Sequence, residues 1–442
     1  MRKQRLAFVI PLLLTMTTCR SSGDASPASE EANLDALYAP YATLRGDLHL
    51  HSSTASFDSR DCGQGCQTFS AAEQLAAARD AGLDFAALTE HDRDPNQPGS
   101  RIDGAQWEAA RKAVEDANVA GFVALGGYEW TSSQHSCFET DSTQPDYNHK
   151  IVILPPAVAE RCDSDVCTTP DQLGAFVHKA GGIVLTPHPW RVTLLEGQGA
   201  GLPAFVTRNY FDYEGDGPGG VFVGAEVGPD FQPLRWKVLC GHPEEDLNSQ
   251  TGTLAEWQQA LAAGKRLAAV STSDRHFGFT PFRSRTTVLF AAAKTPAAIL
   301  EALKARRAMA ASLEPFPVRL SIGAAIIGGT ARRGAVGKLR VSAPPEQVAA
   351  IEVWRGDQLL QTFSPDAVNH DLTFAPDGPA CCEPEARTAS TPGAASTSGV
   401  ATTSNAASPP GAGPIWAKVT GVETDPDTGT PRTTITSPIW IE

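Results

Sequence analysis

One pattern repeats along the first two thirds of the chain and constrains the fold more than any other feature. A capped helix meets a glycine stop, a short apolar run follows, and the run ends at a histidine or a carboxylate. Ser70 with Glu73 has capping-box spacing ahead of an Ala/Leu-rich helix closed by Gly82, and Leu83 to Leu88 then leads to Thr89-Glu90-His91-Asp92. Asp103 with Gln106 opens a second helix, Gly121 stops it, and Phe122 to Leu125 runs to Gly126-Gly127-Tyr128-Glu129-Trp130. Thr169, Pro170 and Gln172 supply cap, first-turn proline and box partner; Gly181 stops that helix, and Ile183-Val184-Leu185 runs into Thr186-Pro187-His188. Thr253 with Glu256 repeats the device before Gly264, and Leu267 to Val270 ends at Ser273-Asp274-Arg275-His276. A last helix starts at Thr295-Pro296. Such alternation predicts an α/β fold with a parallel sheet or barrel, whose strand carboxyl ends gather on one face and usually carry the site. Spacing alone does not choose between a closed barrel and an open sheet.

At 442 residues the chain exceeds the size at which one core stops growing, so a second, smaller domain is expected. The texture changes beyond Phe316 to short strand-like runs: Val318 to Ile322, Lys338 to Ser342, Ile351 to Trp354, Leu359 to Phe363 and Thr433 to Glu442. These predict a small β-sandwich. The expected division is a catalytic domain over 39–315 and a β-rich domain over 316–442, with a Pro/Ala/Ser/Thr/Gly tract at about 376–414 read as a flexible insertion. A Ser/Ala/Glu-rich linker over 20–38 precedes them.

Residues 1–19 read as a signal peptide. Arg2, Lys3 and Arg5 precede an apolar run from Leu6 to Leu14, too short to span a membrane, and Cys19 follows Met16-Thr17-Thr18. The stretch resembles a bacterial lipoprotein signal, in which the cysteine becomes the lipidated first residue; plain cleavage and no processing are the alternatives. The expectation is an exported protein, periplasmic or at the cell surface, anchored to a membrane through Cys19. Of the nine cysteines, the eight others can pair completely outside the reducing cytosol. Cys62 with Cys66 and Cys162 with Cys167 suit short loops, whereas adjacent Cys381 and Cys382 are expected to find separate partners. No Cys-x-x-Cys occurs, which disfavours a zinc ribbon or a thioredoxin-type site. A formal charge of −14 and a pI near 5.2 leave no basic stripe for nucleic acid.

The chemistry concentrates in histidines and carboxylates. In Gly46-Asp47-Leu48-His49-Leu50-His51 two histidines stand two apart, so on a strand both imidazoles project from one face and can reach one ion; two ordinary strand histidines are the bland alternative. Of ten histidines, His49, His51, His91, His149, His188 and His276 fall at strand ends or in motifs of similar texture, with His135 a doubtful seventh. Asp58, Asp92, Glu129, Glu226 and Asp274 accompany them, a nitrogen and oxygen set that suits zinc, manganese or iron. His178, His242 and His370 read as surface or packing residues, and Trp130, Trp190 and Trp236 either line a pocket or pack. Ser52, Ser53 and Ser273 lack a nucleophile-elbow setting, which disfavours serine hydrolase chemistry.

These motifs resemble those of the PHP-domain metal-dependent hydrolase superfamily, and within it the branch of carbaryl-hydrolase-like enzymes. The resemblance runs from about Leu44 to Ala311 and rests on Gly46 to His51, Leu88-Thr89-Glu90-His91-Asp92, Gly127-Tyr128-Glu129 with His149 to Leu154, Thr186-Pro187-His188-Pro189, and Ser273 to His276. Ser437-Pro438-Ile439-Trp440-Ile441 also resembles the end of that branch's carboxy-terminal domain. What the resemblance implies is a distorted, seven-stranded β/α barrel holding two or three divalent ions. By analogy His49, His51, Glu129 and Asp274 hold one ion, Glu129 and His149 share a second, and Asp58, His91, His188 and His276 complete the cluster, with Asp61 able to replace Asp58. Glu90 stands where many members have aspartate. Three residues are candidates for direct catalytic roles: Arg275 to pair with phosphate or to form a structural salt bridge, Lys150 similarly, and Asp92 to orient an imidazole or remain a solvated carboxylate. Glu226 is read as structural or as supporting a ligand. The expected activity is attack of a metal-bound hydroxide on a small-molecule ester, phosphoester first, carbamate or carboxylic ester second. A non-catalytic, metal-holding binding module is the alternative of a different class. Substrate, metal identity and oligomeric state are not legible.

Overall fold

The computed structural model describes residues 33–52, 69–93, 102–131, 147, 149–163, 165–189, 191–194, 210–227, 247–251, 253–275, 285–378, 413–424 and 431–442. Its helices are α1 Leu34–Tyr38, α2 Ala71–Asp80, α3 Gly104–Ala117, α4 Pro170–Ala180, α5 Thr253–Ala262 and α6 Pro296–Lys304. Reciprocal capping boxes start α2, α3 and α4 at Ser70, Asp103 and Thr169, and the Thr295 side chain caps α6. Thr253 is the first helical residue of α5, not its cap. α3 stops before Gly121, because the Asn118 side chain donates to the Val114 and Ala124 carbonyls and accepts from the Ala124 N–H.

Thirteen strands form the principal sheet among the described residues: β1 Ala42–Leu50, β2 Phe85–His91, β3 Val123–Thr131, β4 His149–Leu154, β5 Ile183–Thr186, β6 Phe222–Glu226, β7 Ala268–Val270, β8 Arg285–Ala291, β9 Ala308–Ser312, β10 Val348–Arg355, β11 Gln358–Phe363, β12 Ile415–Thr424 and β13 Pro431–Thr436. Their order is β11-β10-β12-β13-β9-β8-β1-β2-β3-β4-β5-β6-β7. The sheet is mixed, which corrects the expectation of a parallel one. β1, β2 and β3 run parallel, as do β5, β6 and β7, but β4 is antiparallel to both neighbours and β8 is antiparallel to β1. Parallel neighbours need a crossover, which α2 and α3 supply; an antiparallel pair such as β3 and β4 does not.

Among the described residues no ladder joins β7 to β1, only a single parallel bridge between Leu50 and Arg275, so a closed barrel is not shown. The two regions nevertheless meet. His51 N–H donates to the Arg275 carbonyl at 2.9 Å, Ser271 N–H donates to the Thr287 hydroxyl at 3.1 Å, and that hydroxyl donates back to the Ser271 carbonyl at 2.9 Å. Inside, Leu44, Leu48, Phe85, Ala87, Val123, Leu125, Ile151, Ile153, Leu185 and Val270 make one buried core. Outside, α2 and α3 cover Ala86, Leu88 and Ala124.

Strands β10 to β13 extend the same sheet, and a four-stranded sheet of Val318–Ile322, Ala325–Ile326, Gly337–Val341 and Leu372–Phe374 faces them. Between lies a core of Phe316, Leu320, Leu339, Ile351, Val353, Ile415 and Val419, joined by Val288 and Phe290 of β8. Leu34–Tyr38, within the stretch read as linker, form α1 because Asn33 caps it and Leu34 and Tyr38, four apart, bury in that core. The Tyr38 hydroxyl donates to the Leu320 carbonyl at 2.8 Å. Most of the tract read as a flexible insertion lies outside the described residues.

Candidate metal centre

Glu129 sits at the middle of a ring of imidazoles. Its Oε2 lies 3.2 Å from His49 Nε2, 3.2 Å from His51 Nε2 and 3.1 Å from His91 Nδ1; its Oε1 lies 2.6 Å from His149 Nδ1 and 3.4 Å from His188 Nε2. Asp274 Oδ1 stands 3.2 Å from His49 Nε2 and 3.4 Å from His51 Nε2. Two sets of donor atoms are close enough to hold an ion each: His49, His51, Glu129 and Asp274, and His91, Glu129 and His149. Glu129 belongs to both.

Local backbone events aim these side chains. Along β1, Leu44 and Leu48 face the interior, but Leu50 packs outside with Leu75 and Ala78 of α2. A bulge between Asp47 and Leu50 makes that change of parity, so the odd-numbered His49 and His51 turn inward. In β2 and β3 simple alternation suffices: Phe85 and Ala87 face inward, and so does His91; Val123 and Leu125 face inward, and so does Glu129. His149 begins a strand where the others end one. The reversal of β4 opposes His149 to Thr131, at the same rim. His188 and Asp274 adopt left-handed backbones, φ 30 and 49, unusual for residues with a Cβ and found where a site imposes them.

The surroundings are strongly acidic. Burial opposes charge on His49, but Asp274 and Glu129 outweigh it and hold its imidazole well above the usual range. Burial likewise opposes charge on Glu129, yet His91, His149 and His49 keep its carboxyl well below the usual range. Burial pushes the Asp47 carboxyl up to about 6, against hydrogen bonds from Ser273 and the His49 N–H. Asp47 is a residue to which the sequence assigns no role. It joins β1 to the segment after β7 by accepting from His49 N–H at 3.1 Å and Ser273 N–H at 3.2 Å. Glu90 accepts from Ser52 N–H at 2.9 Å, pinning the chain just beyond His51.

The remaining candidates separate clearly. Asp92 accepts from Thr131 N–H at 2.8 Å and donates its own N–H to the Glu129 carbonyl at 2.9 Å, fastening the ends of β2 and β3 together. Arg275 is buried, its carbonyl accepting from His51 N–H and its guanidinium carbon 5.9 Å from the centroid of the Phe69 ring. Lys150 is not brought to the cluster: alternation along β4 turns it away from His149, and its Nζ donates to the Tyr147 and His149 carbonyls at 2.6 and 3.0 Å. Asp58, Asp61, His276, His135 and His242 lie outside the described residues, as do Trp190 and Trp236. His178 and His370 are exposed. Trp130 is buried, its indole N–H donating to the Cys167 carbonyl at 2.9 Å, and Cys167 is disulfide-bonded to Cys162.

Glu226 closes β6 with its carboxylate against His49 and against the backbone of His188, a placement no local motif announces. The signal was only that a carboxylate again ends an apolar run.

No model of a known protein family matches the chain, and no curated protein is significantly similar to it. Among solved structures, the chain is similar to a two-domain protein from Bacteroides vulgatus described as containing a predicted PHP-like metal-dependent phosphoesterase. The TM-score is 0.36 and the identity 17%, with 93% of this chain and 99% of that one covered.

Proposed function

We propose that this chain is a metal-dependent hydrolase that cleaves a small ester at the buried His/Glu/Asp cluster, phosphoester ahead of carbamate or carboxylic ester. The crowding at Glu129 carries the reading. One oxygen, Oε2, faces ring nitrogens of three histidines within 3.2 Å, yet a carboxylate oxygen offers two lone pairs. Hydrogen bonding does not satisfy that geometry, whereas divalent cations seated among the same atoms would take imidazole nitrogen and carboxylate oxygen together. The residues therefore fit a metal. His49, His51, Glu129 and Asp274 would hold one ion, and His91, Glu129 and His149 another.

Divalent ions supply a lowered pKa for water and polarisation of the ester oxygen. The protein supplies shape. His49 and His51 form a fully buried floor, while the Asp274 side chain is 24% exposed, so substrate and water approach from the Asp274 edge. Arg275, next to Asp274, supports an anionic substrate, since a guanidinium can bind phosphate oxygens in pairs. The carbamate reading has the motif resemblance behind it. Export and anchoring through Cys19 remain part of the proposal, and the Cys162–Cys167 bridge supports an oxidising compartment.

The test is metal content by elemental mass spectrometry on wild type and His49→Ala, with hydrolysis of p-nitrophenyl phosphate, bis-p-nitrophenyl phosphate and a naphthyl carbamate. Wild type is expected to hold two or more divalent ions and to cleave one ester class, and the variant to lose metal and activity together. A wild type that takes up no transition metal under any loading condition sinks the proposal. Metal without turnover turns it into a binding module.

A further inference from the structure

Glu226 is the residue whose placement the proposed chemistry leaves unexplained. Its Oε1 lies 2.9 Å from His49 Nδ1 and also accepts from the Thr272 hydroxyl; its Oε2 accepts from the His188 backbone N–H at 2.7 Å. All four residues are buried. The three groups it engages come from three segments, each of which carries a candidate ligand: His49 itself, His188 itself, and Thr272 two positions before Asp274.

His49 has two ring nitrogens with different surroundings. Nε2 points at Glu129 and Asp274, the position for an ion, so Nδ1 must carry the proton when Nε2 gives its lone pair to a metal. A carboxylate at Nδ1 fixes that tautomer and the plane of the ring, and makes the other nitrogen a better donor. At His188 the same carboxylate restrains a left-handed backbone, at φ 30, through its N–H. Both oxygens thus accept from protein donors, and Glu226 belongs to neither group of metal-holding donor atoms.

We infer that Glu226 is a positioning residue, one carboxylate that sets the tautomer of His49 within its metal-holding group and holds the backbone of His188 beside it. Thr272 is its clamp. This rests on the cluster being a metal centre.

Glu226→Gln is the discriminating variant. An amide keeps one accepting oxygen but presents an NH2 in place of the other, so it cannot accept from both His49 and His188. Calorimetric titration of the metal-free protein with Zn2+, and the visible spectrum after loading with Co2+, read its effect without reference to turnover. Expected is a ten- to hundredfold loss of affinity at unchanged stoichiometry, with a shifted Co2+ ligand-field band. Thr272→Val is expected to move both readouts the same way by less. Wild-type affinity and spectrum in a folded Glu226→Gln overturn the inference, and loss of a whole ion from its stoichiometry does too, since Glu226 would then be a ligand. If Glu226→Gln fails to fold, wild-type behaviour of Thr272→Val overturns it, and weakened binding there sustains it. A wild type that takes up no ion sinks the metal-centre reading itself, a result distinct from all of these.

Discussion

Glu129 does at the scale of one residue what a motif cannot show: it divides five imidazoles between the two oxygens of one carboxylate. Glu129→Gln is therefore expected to empty both metal-holding groups, with turnover down by more than about 100-fold, beyond the effect of losing a supporting partner. His149→Ala is expected to lose the ion of one group only, and elemental analysis distinguishes the two outcomes. Protonation gives a second expectation. The imidazole of His49 is raised in the metal-free fold, so its contribution to stability is full below the ordinary value of 6.5 and is lost as pH rises through the raised one. Glu129 is lowered, so its contribution is present above 4.5 and is lost as pH falls through the depressed value. Metal uptake requires deprotonated ligands and strengthens with pH. Above pH 6.5 the melting temperature of metal-free protein should thus fall while that of metal-loaded protein rises, and scanning calorimetry of both forms checks the opposed slopes. Equal slopes would remove His49 from the ligand set.

Elements aim the residues, and two irregular features do most of the aiming. The bulge in β1 turns His49 and His51 inward, and the reversed β4 brings His149, the start of a strand, to the rim where other strands end. Gly127 permits the second: a Cβ there would collide with the Val152 carbonyl oxygen across the β3–β4 pair. Gly127→Ala is expected to destabilise the fold by about 1–3 kcal/mol and to weaken metal binding through displaced His149, measured by denaturant unfolding and Zn2+ titration. What could be read beforehand follows the same line between local and distant causes. Ser70 with Glu73, Asp103 with Gln106 and Thr169 with Gln172 are contacts across three residues, and the helices they start stand where the spacing puts them. The direction of β4, the change of parity in β1 and the five-residue α1 are set by partners far along the chain; Tyr38 and Leu320 are 282 positions apart. Glu226 and His49 are 177 apart, which is why the carboxylate was visible and its purpose was not.

Strand pairing and a shared core cross the expected boundary at 316. β13 pairs with β9 over Met309 to Ser312, the Ser437 hydroxyl accepts from Ala269 N–H at 3.0 Å, and the second core includes Val288, Phe290, Met309 and Ala311. Residues 1–315 expressed alone are expected to be insoluble or metal-free, because β9 would present an open edge and those side chains would face water. Soluble, metal-binding protein from that truncation would show that the first part folds without the second. Replacing Cys162 and Cys167 together by serine should cost about 2 kcal/mol for so short a loop, read as a lowered melting temperature matched by reductant on the wild type. The position of β13 between β9 and β12 also has a consequence for synthesis. A chain emerging from the ribosome can form α2, α3 and the β1–β3 sheet early, but the strand that seals β9 arrives only with residues 431–436. Until then β9 presents an unpaired edge, so the part of the sheet next to the candidate centre is completed only by the last residues made.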